Sequence, residues 1–265
     1  MQLSFFDASP VMVGEALPPF PGSFRDPQSL LAEMDHFGIG QSMFFQYAFT
    51  PEVAPRMNEL TLAAAKTSQR LWPCWILETT PAFVGERLNH QAELIVQSGA
   101  KAARLFPTKG PTATAPPLRE YLIGDILSGL ERYRIPLFIP ESMLDMDQLG
   151  LRAYDPIEEF CIAFPRLPLI ILEPRYNSAP FLIPLMKRHP NLHITLTLMG
   201  LFEQLETLSA MVPVEQLIFG TGLPNFDGSI ATGMLLYSPL PQTTLQAIAG
   251  GNMQRLLTHS GKEAR

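Results

Sequence analysis

The sequence predicts an α/β protein built as one closed barrel of eight β/α units, (β/α)8, and three observations carry that prediction. Short apolar runs alternate with longer segments of helical spacing along all 265 residues. The chain also has the length of a single closed barrel. The competing doubly wound open sheet would place a glycine-rich phosphate loop after its first strand, where Asp7-Ala8-Ser9-Pro10-Val11 stands instead. One domain covering residues 1 to 265 is expected.

Taken in order, the strand candidates are Leu3 to Asp7, Ser42 to Tyr47, Leu71 to Leu77, Ala102 to Phe106, Leu137 to Ile139, Leu169 to Leu172, His193 to Leu196 and Leu217 to Gly220. Helix candidates fall between them. Asp26 and Pro27 supply an N-cap and a first-turn proline for Ser29 to Phe37, and Gly38 stops that segment. The others are Met57 to Gln69, Val84 to Gln97, Leu118 to Tyr133, Pro156 to Phe164, Ala179 to Arg188, Phe202 to Met211 and Pro241 to Leu257. Prolines cluster at element boundaries. The longest aperiodic stretch, Pro107 to Pro117, follows the fourth strand at the face where barrels place their chemistry, either as a lid or as a solvated connection.

Composition narrows the partners. Hydrophobic residues make up 46% of the chain, ample for a large core, yet no apolar run reaches the roughly 20 residues of a membrane span. The first residues do not read as a signal peptide. The net charge of −6 is spread without a Lys/Arg cluster, which argues against nucleic acid and anionic membrane as partners. Cys74 and Cys161 sit in apolar surroundings as free thiols, so a cytoplasmic protein without disulfides is expected. The apolar run Gly233 to Tyr237 reads as a buried or subunit-contacting segment, with packing at the barrel end an equal explanation.

Several short pieces, in order and at suitable spacing, resemble the amidohydrolase-related metal-dependent hydrolases, a TIM-barrel family. They are Phe6-Asp7-Ala8, Ile135 to Ile139, Leu169 to Glu173, Leu217 to Phe226 and the closing Gly251-Asn252-Met253-Gln254-Arg255-Leu256-Leu257. In that family the first strand is followed by His-x-His, the fifth and sixth strands end in His, and the last carries an Asp that is both metal ligand and base. The matching positions here are Ser9, Val11, Pro140, Pro174 and Gly222. The resemblance therefore implies the scaffold, while a zinc site of the family type lacks its donors, and no metal or cofactor is expected. His36, His90, His189, His193 and His259 fall in helices or at the starting ends of strands, as packing or surface residues.

Polar side chains at strand ends are the remaining candidates for chemistry. Asp7, Glu141 and Glu173 are the candidate acid-base groups, while Arg104, Arg175, Gln46, Trp75, Thr221 and Asn225 are candidate ligand contacts, with Glu78, Thr195 and Thr197 nearby by the same reading. Arg104, in the apolar setting Ala-Ala-Arg-Leu-Phe, needs either a carboxylate partner (Asp7, Glu141 or Glu173) or an anionic ligand, because an unpaired buried guanidinium is costly. Ser9 has no histidine base. Three functions stay open: a metal-free barrel binding a small organic molecule, anionic or neutral, at its C-terminal mouth; a metal-independent hydrolase or lyase acting on a lactone or carboxylate through Asp7, Glu141, Glu173 and Arg104; and a structural or regulatory partner.

Overall fold

The structure is a computed structural model that describes residues 3–14, 24–46, 53–79, 90–105, 118–146, 152–199 and 204–263, with the backbone alone for residues 10–12. Its strands are β1 (Phe5–Val13), β2 (Ile39–Gln46), β3 (Leu71–Ile76), β4 (Ala102–Arg104), β5 (Leu137–Pro140), β6 (Leu169–Leu172), β7 (Leu192–Thr195) and β8 (Leu217–Ile218). All run parallel, each beside the next in chain order. The helices are α1 (Pro27–Phe37), α2 (Ala54–Ala65), α3 (Gln91–Ser98), α4 (Glu120–Arg132), α5 (Asp155–Ala163), α6 (Ala179–Arg188), α7 (Gln204–Met211), α8 (Gly228–Leu236), α9 (Gln242–Gln246) and α10 (Asn252–His259). This is a nearly closed (β/α)8 barrel. Tyr47, Phe106, the Pro107 to Pro117 stretch, Phe202 and the first half of the Val84 helix lie outside the described residues.

Local signals act as their chemistry requires. The Asp26 carboxylate accepts from the Ser29 N–H at 2.8 Å and closes a capping box, Pro27 opens α1, and Gly38 ends it at φ +68°. Alternation along the strands divides the apolar residues between two cores. Phe6, Met43, Ile76, Phe138, Ile170 and Ile218 fill the barrel, whereas their neighbours Phe5, Phe44, Ile139, Ile171 and Leu217 pack outward with the helices.

Closure between the ends of the sheet is thin. The Ala8 N–H donates to the Phe219 carbonyl at 3.0 Å, and the Phe219 N–H turns to the Ile248 carbonyl at 3.1 Å. A π-helical turn, Ala247–Gly251, separates α9 from α10, so the helix expected from Pro241 to Leu257 is interrupted. Within that turn, a Cβ at Gly250 would lie 2.8 Å from the Ser4 carbonyl oxygen and 3.1 Å from the Phe6 Cβ, so the start of β1 meets bare backbone. Asn252 then donates to the carbonyls of Val214 and Leu217 at 2.7 and 2.8 Å, which makes the closing Gly-Asn motif a clamp under β8.

Residues 228–236 form a helix, and within the Gly233 to Tyr237 run Leu235 is buried while Leu236 and Tyr237 are 58% and 90% exposed, so the run is buried only in part in this chain. Its apolar residues look like core by composition alone, but α8 turns only one side, with Ala231 and Leu235, to the barrel.

Candidate functional site

Arg104 is the centre of the polar mouth. It ends β4, two residues beyond the interior residue Ala102, so alternation points it into the barrel. Its guanidinium carbon stands 3.8 Å from the centre of the Phe45 ring, and the residue is 6% exposed. Its Nε reaches the Leu105 carbonyl only at 3.5 Å. Among the described residues no carboxylate lies within the 4.0 Å of an ion pair, so the internal salt bridge weighed from sequence is replaced by the face of an aromatic ring. Burial depresses the guanidinium pKa, and Cys74 and Glu173 act against that depression.

Glu173 follows β6 with φ +55°, a left-handed conformation uncommon outside glycine. That turn breaks the strand alternation that would have aimed the side chain at the helices. Its N–H donates to the Thr195 hydroxyl at 3.0 Å, and its charge is felt by both Arg104 and Asp7. Burial raises the Glu173 pKa, with Arg104 lowering it and Glu141 raising it further.

Asp7 is fully buried and already saturated. One carboxylate oxygen accepts from the N–H groups of Thr221 and Ser9 at 2.9 and 3.1 Å, and the other accepts from the Thr221 hydroxyl. That hydroxyl in turn accepts from the Leu223 N–H at 3.2 Å, which fixes its proton on the Asp7 side. Burial raises the Asp7 pKa to about 6 although these bonds oppose the shift. Asp7 thus fastens β1 to the end of β8. Glu141 is engaged likewise: buried at 4%, it accepts from the hydroxyls of Tyr154 and Ser178.

The other candidates scatter. Thr221 is buried beneath Asp7, whereas Arg175 and Asn225 are exposed. Trp75 packs with the outer, helix-facing core. Gln46 ends β2, its N–H held by the Thr61 hydroxyl at 2.9 Å. Glu78 lies two residues past β3 and exchanges backbone bonds with the Gln91 amide, at 2.8 Å each way. The structure therefore brings Arg104, Glu173, Asp7 and Thr195 towards one mouth and leaves Trp75, Arg175 and Asn225 apart. Phe45, Tyr154 and Ser178 were not read from sequence as site residues. The alternation that places Met43 and Phe45 inside is a usable signal for the first, but Tyr154 and Ser178 reach Glu141 across 13 and 37 residues and leave no local trace.

The residues at the five family metal positions do not fit a metal centre. The Ser9 hydroxyl is bonded to the Thr197 hydroxyl at 3.2 Å, and that of Thr197 donates to the Gly220 carbonyl at 3.0 Å. Pro140, Pro174 and Gly222 carry no donor side chain, as Val11 does not. At Gly222, φ is +71°, and a Cβ would lie 2.5 Å from the Thr197 methyl and 2.7 Å from the Phe226 ring. The space an aspartate would take is filled. Among the described residues, no three of His, Cys, Asp and Glu are grouped to hold a metal ion.

No protein-family model matches the chain, and no curated protein matches it in sequence. Solved structures do resemble it in fold. A 2,6-dihydroxybenzoate decarboxylase complexed with 2,6-dihydroxybenzoate aligns over 97% of this chain and 100% of its own, with a TM-score of 0.76 at 12% identity. A dihydroxybenzoic acid decarboxylase from a Polaromonas species, with bound manganese and the inhibitor 2-nitroresorcinol, gives 97% of each chain, 0.75 and 11%. A 4-oxalomesaconate hydratase from Rhodopseudomonas palustris gives 97% and 96%, 0.71 and 16%. The fold is that of the amidohydrolase-like TIM barrels, and at these identities the likeness extends to the fold alone. No helix among the described residues is long and apolar enough to cross a membrane.

Proposed function

We propose that this barrel binds a small organic anion at its C-terminal mouth, through Arg104 and without metal-dependent hydrolysis. The observation that carries the reading is the buried guanidinium of Arg104, stacked on Phe45 with no ion pair among the described residues. A ligand carboxylate would supply the charge-assisted bonds that the protein leaves unmade. Asp7, Glu141 and Ser9 are occupied by bonds within the protein, so they frame the mouth rather than act in it. The structural relatives that handle hydroxybenzoates make an aryl carboxylate a suitable probe.

Calorimetric titration with 2,6-dihydroxybenzoate tests this. The native chain should bind saturably, and Arg104→Met, which keeps the stacking volume but removes the charge, should weaken binding about tenfold or more. Equal binding by both proteins would refute the role of Arg104.

A second reading, a metal-independent hydrolase or lyase, is favoured by the placement of Glu173, which follows β6 at φ +55° in a partly buried setting that raises its pKa while the charge of Arg104 opposes the shift. It narrows the acid-base candidates to that residue. Glu173→Gln should then abolish turnover of a bound carboxylate or lactone while sparing its affinity, and a variant with undiminished turnover would exclude it.

A further inference from the structure

A concave site lies at the N-terminal face of the barrel, opposite the mouth. A cleft of about 220 Å³ is lined by Arg134, Arg166, Pro168, Leu256 and His259. These come from three separate places: the turn after α4, the loop between α5 and β6, and α10. Leu256 is buried while Arg166 and His259 are exposed, so an apolar base is surrounded by basic side chains. This cationic surface belongs to a chain whose net charge is −6.

Arg134 stands where the backbone asks for glycine. Its N–H donates to the Glu131 carbonyl at 3.0 Å and the Ile135 N–H to the Leu130 carbonyl at 2.9 Å, the paired bonds of a helix-ending turn whose left-handed residue is usually glycine. Arg134 adopts φ +49° there, which costs an ordinary side chain stability. Among the described residues its guanidinium has no ion-pair partner. The nearby Glu131 is taken by Arg166, whose N–H donates to it at 2.9 Å with Nε 3.7 Å away.

We infer that this cleft is a binding site for a small organic anion with an apolar body, held by Arg134, Arg166 and His259 over Pro168 and Leu256. The site is separate from the barrel mouth and does not depend on the reading given above for Arg104. Its size suits a molecule of about one aromatic ring, smaller than the usual enclosed ligand of some 300 Å³ or more.

The test is a magnetic-resonance titration of the full chain, labelled at histidine rings and leucine methyls, with benzoate, inorganic phosphate and benzyl alcohol as probes. Benzoate should shift His259 and Leu256 saturably, phosphate should shift His259 more weakly, and benzyl alcohol should shift neither. Arg134→Gly should melt at a higher temperature than the native chain yet bind benzoate about tenfold more weakly, a pairing that a purely structural arginine cannot produce. Arg104→Met should leave the His259 and Leu256 shifts unchanged, which separates this site from the mouth. Absence of saturable shifts with benzoate, equal affinity in Arg134→Gly, or tighter binding of phosphate than of benzoate would overturn the proposal.

Discussion

Asp7 shows how a single carboxyl can be spent on structure. Its pKa is raised from 3.8 to about 6 in the fold, chiefly by burial. A raised folded pKa means that the native state holds the proton more tightly than the unfolded chain. The stabilisation is therefore complete below pH 3.8 and is lost as pH rises through about 6. The full span is about 3 kcal/mol. In urea unfolding, Asp7→Asn should flatten the stability change between these two pH values, and an unchanged slope would assign the titration elsewhere. Glu173, also raised, acts in the same direction. Thr221→Val removes the hydroxyl donor from one Asp7 oxygen and should cost about 1–3 kcal/mol, read by the same unfolding curves. Tyr154→Phe should cost a similar amount through Glu141 while leaving 2,6-dihydroxybenzoate affinity intact, because Glu141 braces the mouth without serving it. The inward course of Arg104 was legible from the apolar residues around it. The Asp7 partner was not, since Thr221 lies 214 residues further on.

At the scale of elements, the loop after β8 is closed to a side chain at Gly222 by its backbone and its neighbours. Gly222 combines a left-handed φ with a Cβ direction closed by Thr197 and Phe226. Gly222→Ala should destabilise the chain by about 1–3 kcal/mol in thermal or urea unfolding. Gly222→Asp should do at least as much harm and bring no manganese binding by calorimetry, since among the described residues the nearby oxygens of Asp7, Ser9 and Thr197 are already bonded within the protein. A stable Gly222→Asp chain that binds manganese would show the site to be merely one residue short. Most strands were readable because buried parallel strands are continuous apolar runs bounded by turn residues. The interruption at residues 247–251 was not, because no proline marks it and the first strand that Gly250 packs against is distant in sequence. α8 was missed for the opposite reason. Its apolar residues lie all round the helix, so no period marks the side that faces inward.

For the whole molecule, alternation and length led to the barrel, and the position-by-position comparison with a metal-dependent family located the mouth. The partners of the polar side chains at that mouth could not be read the same way. Whether Arg104 meets a carboxylate or a ring depends on the twist of the sheet and on Phe45 two strands away, and whether Glu173 faces in or out depends on one positive φ. Under the proposed function, Arg104 holds an anion in the absence of metal. The most direct measurement is the side-chain Nε–H resonance of Arg104, followed during titration with 2,6-dihydroxybenzoate in the presence of EDTA. The resonance should move saturably, with the dissociation constant found by calorimetry. A resonance that stays fixed while the ligand saturates, or that moves only after manganese replaces EDTA, would contradict the account.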